Sequence, residues 1–112
     1  QHSLNVMLEN VKHGKISIER VVEKMCHNPA ILFRVEKRGY IREGYKADLV
    51  MVDFDQSWTV EKDTILSQCG WSPLEGTTFN SKITHTFVNG HLAYQNGVFS
   101  DQRFGERLLF NI

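Results

Sequence analysis

Leu49-Val50-Met51-Val52, an unbroken apolar run held between Asp48 and Asp53, constrains the fold of this chain more than any other feature. It reads as a β-strand buried on both faces. Such a strand needs neighbours, because an unpaired apolar edge templates association with other chains. The approach to it, Arg38-Gly39-Tyr40-Ile41-Arg42-Glu43-Gly44-Tyr45-Lys46, is charged and holds two glycines. A phosphate loop does not fit there, since Tyr45 stands where that motif needs lysine and no strand precedes it. Gly39 and Gly44 are therefore expected at turns.

Before Gly39 the periodicity is helical. Leu4, Met7, Leu8 and Val11 fall at i, i+3, i+4 and i+7, which places one apolar stripe on one helix face. Lys12 and His13 suit the negative end of the helix dipole, and Gly14 supplies a left-handed stop. Ser17 is positioned to cap a second helix, whose Ile18, Val21, Val22 and Met25 repeat the spacing. Asn28-Pro29 is expected to end that helix, because a residue before proline is pushed out of the α region. The same pair is expected to cap a short stub over Ala30-Ile31-Leu32-Phe33.

After Gly39 the periodicity is that of strands. Trp58-Thr59-Val60 is a second strand candidate, and residues 61 to 82 are expected to be irregular. Ile83 to Val88 runs into Asn89-Gly90, and His91 to Gln95 runs into Asn96-Gly97 before Val98-Phe99. Asn-Gly between apolar runs is the strongest short hairpin signal, so a three-stranded meander is expected. The result is an α+β unit whose first strand is too apolar for an open edge. More strands are required than the chain supplies, so a partner segment is expected.

Bulk properties exclude several function classes. Lys plus Arg and Asp plus Glu both number 13, and no basic stripe stands out, which disfavours nucleic acid and anionic membrane as partners. No apolar run is long enough to span a bilayer. Cys26 and Cys69 form no CxxC and read as reduced thiols of a cytoplasmic protein, with Cys26 as a small core residue.

The residues offer little chemistry. His2, His13, His27, His85 and His91 form no HxH, HExxH or HxxxH pattern, and no carboxylate joins them at ligand spacing. His2 and His13, placed on different faces of the first helix, are not expected to share a ligand, and His85 and His91 read as ordinary strand residues. Ser72 lacks a nucleophile elbow and Cys69 lacks a signature. Asp48 and Asp53 lie roughly 16 Å apart at strand rise, too far to cooperate as acid and base. Trp58, Trp71 and Tyr94 are expected in the core. No catalytic, cofactor-binding or metal-ligating residue is assigned.

Taken together, some of these segments carry a resemblance. They are Gly14-Lys15-Ile16-Ser17 into Val21-Val22, Asn28-Pro29-Ala30, Arg38-Gly39-Tyr40-Ile41 and Glu43-Gly44-Tyr45-Lys46-Ala47-Asp48-Leu49-Val50. Later come Cys69-Gly70-Trp71-Ser72-Pro73-Leu74-Glu75-Gly76, Val88-Asn89-Gly90 and Gly105-Glu106-Arg107-Leu108. The chain resembles the C-terminal part of the dihydroorotases, in the cyclic amidohydrolase branch of the amidohydrolase superfamily and close to allantoinase and dihydropyrimidinase.

The resemblance implies that residues 1–38 are the last helices of a (β/α)8 barrel and residues 39–112 the C-terminal share of a flanking β-sandwich. It implies zinc in the intact enzyme, bound by histidines, a carboxylated lysine and an aspartate that this chain does not match. The 112 residues alone are expected to be inactive. The implied partners are the remainder of the same polypeptide, meaning the barrel and the N-terminal sandwich strands, and a small cyclic ureide substrate; a homo-oligomer is also compatible. The alternatives are an allantoinase- or hydantoinase-type fragment and a non-catalytic β-sandwich interaction module.

Overall fold

The computed structural model describes residues 1–112. Helix α1 spans Ser3–Lys12 and ends as its sequence requires. Gly14, at φ +71°, donates its N–H to the Val11 carbonyl, and Lys15 donates to the Asn10 carbonyl at 2.9 Å. This pair of bonds is a Schellman stop, which only a left-handed residue closes without strain. Ser17 caps α2 (Ile18–Val22), its hydroxyl accepting from the Arg20 N–H at 3.3 Å.

The expected break at Asn28-Pro29 does not occur. Asn28 sits at φ −62°, ψ −43°, and the helical path continues through a π turn at Glu23–His27 into α3 (Asn28–Leu32). In the widened turn the Asn28 N–H bonds to the Glu23 carbonyl. A π turn inserts one residue into the helical ladder, which makes room for a proline ring that would clash in a regular helix. Of the stripe Ile18, Val21, Val22 and Met25, only Val21 is buried. Cys26 is exposed and not a core residue.

The sheets follow the sequence closely. β1 (Leu49–Asp53), β4 (Lys82–Val88), β5 (His91–Gln95) and β6 (Val98–Phe99) form one antiparallel sheet in the order β1-β4-β5-β6. Both Asn-Gly pairs have positive φ at both residues, the signature of type I′ turns. Two register shifts, at Met51/Val52 and Thr86/Phe87, mark bulges. The Thr84 carbonyl accepts from the Asn96 N–H and the Ala93 carbonyl from the Ser100 N–H, so the bulged backbone stays bonded.

A separate two-stranded sheet joins β2 (Trp58–Thr59) to β3 (Thr78–Phe79), inside the segment expected to be irregular. Two residues of β3 are too few for periodicity to register. β1 is an edge strand, with Val50 and Met51 about half exposed. The reading of that strand as buried on both faces is therefore corrected for this chain, while its need for a neighbour stands. No helix is long and apolar enough to cross a membrane.

Candidate functional site

The structure disperses the candidate side chains. His2 is buried against Trp58 and Phe79, with ring centroids 5.9 and 6.3 Å away. Burial lowers its pKa. His13 lies 3.2 Å from Glu9 on the same helix. His2 and His13 in fact fall nearly in line, since eleven residues is about three turns, but about 16 Å of helical rise separates them. His27 stacks on Tyr40 at 4.2 Å, and Arg42 covers Tyr40 at 4.1 Å. His85 pairs across the hairpin with Gln95 and His91 with Val88, so the two do not face each other.

The acids serve the fold. Asp48 pairs with Arg38 and accepts the Asn89 N–H at 2.9 Å, tying the strand entry to the first hairpin turn. Asp53 accepts the Asp55 N–H at 2.9 Å in its own turn. Glu9 reaches across to β3 and takes two bonds from Asn80, 2.9 Å from the backbone and 2.6 Å from the side chain. The Asn80 backbone N–H is the main reason its carboxyl lies below the usual carboxylate range.

The loop carrying Cys69 hangs on Val60, which donates to the Thr77 carbonyl and accepts from the Gly76 N–H. Ser67, 3.2 Å from the thiol, lowers the Cys69 pKa. Its other partner is the Trp71 carbonyl, so no base stands beside it to make a nucleophile. Trp71 is exposed, contrary to the expectation that it joins the core, whereas Trp58 is half-buried and donates to the Ser81 carbonyl at 3.0 Å. No three His, Cys, Asp or Glu side chains converge to hold a metal ion. The residues present do not fit a zinc centre.

What the chain offers instead is uncovered surface. A folded monomer of 13.0 kDa exposes about 6,300 Å², whereas this chain exposes 8185 Å². Its radius of gyration is 15.2 Å, against about 13 Å for a compact domain of this length. The excess of about 1,800 Å² is more than twice one partner's share of a standard protein interface. Only eight residues are buried, while Ile31, Leu32, Phe33, Val50, Met51 and Phe110 stand exposed. Between the start of α1 and the larger sheet lies a cleft of about 540 Å³ lined by His2, Trp58, Ile83, Thr86, Tyr94 and Phe99.

Similarity to known proteins covers nearly the whole chain. The dihydroorotase of Pyrococcus furiosus is 31% identical over 104 residues, which is 93% of this chain and 25% of that protein. The multifunctional protein pyr1-3 of Dictyostelium discoideum is 33% identical over 107 residues, 95% of this chain and 4% of that protein. Among solved structures, the L-hydantoinase (dihydropyrimidinase) from Arthrobacter aurescens superimposes with a TM-score of 0.88 at 33% identity, covering 95% of this chain and 24% of that one. The chain thus spans about a quarter of the length of the dihydroorotases that it matches. Residues 1–93 match the Amidohydrolase family, and the chain belongs to that family.

Proposed function

We propose that these residues are the C-terminal portion of a zinc-dependent dihydroorotase, which interconverts N-carbamoyl-L-aspartate and dihydroorotate in pyrimidine biosynthesis. In this reading residues 1–38 close the catalytic barrel and residues 39–112 supply the C-terminal strands of the adjoining sandwich. The observation that carries it is the similarity to dihydroorotases over nearly the whole chain, at a quarter of their length. The uncovered surface supports it, because a piece of a larger core exposes what the remainder would bury. The metal chemistry belongs to residues outside this chain, and no step of the reaction is assigned to a side chain here. The contribution of residues 1–112 is to brace the barrel.

An assay of the complete natural polypeptide tests this reading. Hydrolysis of dihydroorotate, exceeding that of hydantoin or allantoin, is expected. A polypeptide that opens hydantoins and leaves dihydroorotate intact would overturn it. That second reading, a hydantoinase-type cyclic amidohydrolase, draws support from the superposition on L-hydantoinase. The isolated 112 residues are expected to turn over none of these substrates.

A further inference from the structure

The last ten residues carry no helix or named strand, yet they are bonded both to the first hairpin of the larger sheet and to the exit of α3. On the sheet side, the Phe104 ring stacks on His91 with centroids 4.4 Å apart. The Asn89 side-chain amide donates to the Phe104 carbonyl at 2.5 Å, and Lys46 meets Glu106 at 2.6 Å. On the helix side, the Glu36 N–H donates to the Leu109 carbonyl at 2.8 Å and the Asn111 N–H to the Arg34 carbonyl at 2.9 Å. Val35 and Phe110 form an antiparallel bridge between those two bonds. The tail therefore runs from the first Asn-Gly hairpin to the exit of α3.

The segment that it reaches is strained. Arg34 and Lys37 both have φ of +53°, a left-handed conformation unfavourable for side-chain-bearing residues. Arg34, Val35 and Glu36 pair with the tail, and Lys37 follows them. Arg34 closes α3 as a Schellman residue, its N–H on the Ile31 carbonyl and the Val35 N–H on the Ala30 carbonyl. Lys37 accepts from the Lys46 N–H, and the tail adds two further bonds to this strained segment. Elsewhere the helices meet strands chiefly where α1 packs on β3. The segment after α3 is tied to the entry of β1 by the Lys46 N–H on the Lys37 carbonyl and by the Arg38–Asp48 pair, to which the tail adds a second connection.

We propose that residues 103–112 are a strap that holds the exit of the helical unit in a fixed position relative to the four-stranded sheet. The anchors on Asn89, His91 and Lys46 set one end, and the pairing with 34–36 transmits that position to α3. This role goes beyond the proposed enzymatic reading and holds whichever cyclic amide the complete protein opens.

Hydrogen exchange on the complete natural polypeptide tests it, with and without residues 103–112. The expected result is exchange at least about tenfold faster at Glu36, whose N–H bonds to the Leu109 carbonyl, with Thr86 and Tyr94 in the sheet unchanged. Phe104→Ala, which removes the ring stacked on His91 and leaves the helix-side bonds of the tail intact, is expected to speed exchange at Glu36 several-fold although no hydrogen bond joins Phe104 to that residue. Asn111→Pro, which deletes one donor and leaves the sheet anchors intact, is expected to do the same. Unchanged exchange at Glu36 in all three variants would overturn the strap. So would equal loss of protection in β4 and β5, which would make the tail part of the sheet's own folding unit. If the truncated protein does not fold, the two point variants decide.

Discussion

The joint between α1 and the β2–β3 sheet and the larger β1-β4-β5-β6 sheet are built on opposite principles. Six of the eight buried residues, His2, Asn5, Leu8, Val60, Phe79 and Ser81, belong to α1 with its cap or to the β2–β3 segment. The larger sheet contributes none, although it has more strands and the stronger turn signals. Hydrogen-bond ladders and type I′ turns define a sheet's shape, but only a covering layer turns its faces into core. In the joint, Glu9 clamps Asn80 while His2, Trp58 and Phe79 fill the space beneath. The larger sheet has no such cover from its own chain.

The largest test of this contrast is a pair of truncations. Phe79→Ala should cost about 3–5 kcal/mol in urea denaturation of the 112-residue chain. Met51→Ala, on the uncovered edge strand, should cost under about 0.5 kcal/mol. Equal losses would break the contrast. Repeating the pair in the complete polypeptide sharpens it: a Met51→Ala cost that climbs to core values there would show β1 covered by the rest of the protein.

Next in size is Gly39→Ala. A methyl group at this position would lie 2.5 Å from the Ala30 Cβ and 2.7 Å from the Cys26 carbonyl oxygen, at a φ of +82°. A loss of about 2 kcal/mol or more is expected by thermal unfolding. Gly44→Ala, with nothing within 4 Å, keeps only the conformational strain and should lose about 1 kcal/mol.

Acid should loosen the joint before the sheet. The folded-state pKa of His2 is depressed, so the unfolded chain binds its proton first. Stability from burying that ring neutral is fully present above about 6.5 and is lost as pH falls through the lower folded value. The Glu9 carboxyl is also depressed, so its contribution is lost at still lower pH, below the usual carboxylate range. Amides of β2–β3 should therefore lose exchange protection before those of β4–β5 as pH falls. The reverse order would refute the assignment.

The smallest effect concerns the exposed loop. Cys69, its thiol pKa lowered by Ser67, should alkylate with iodoacetamide faster than the exposed Cys26, and Ser67→Ala should narrow the difference. Peptide mass spectrometry reads both rates.

Much of this was legible in the residues. The Schellman stop at Gly14, the Ser17 cap and both Asn-Gly hairpins depend on bonds within a few positions, so local chemistry determines them. The β3 strand and the continuation of the helix through Pro29 were not legible, because one rests on a partner nineteen to twenty-one positions away and the other on a widened turn. The Glu9–Asn80 clamp, spanning 71 positions, left no local signal either.

By itself the sequence determined the order of elements, the turns that join them and the unsatisfied apolar character of Leu49 to Val52. Tertiary structure alone decided that β1 lies at an edge, that Val21 and not its stripe-mates is buried, and that the tail returns to Arg34 and Glu36. The physical reason is range. Backbone conformation responds to neighbours in the chain, whereas burial and long-range pairing depend on which surfaces meet, and here many apolar surfaces meet nothing within the chain.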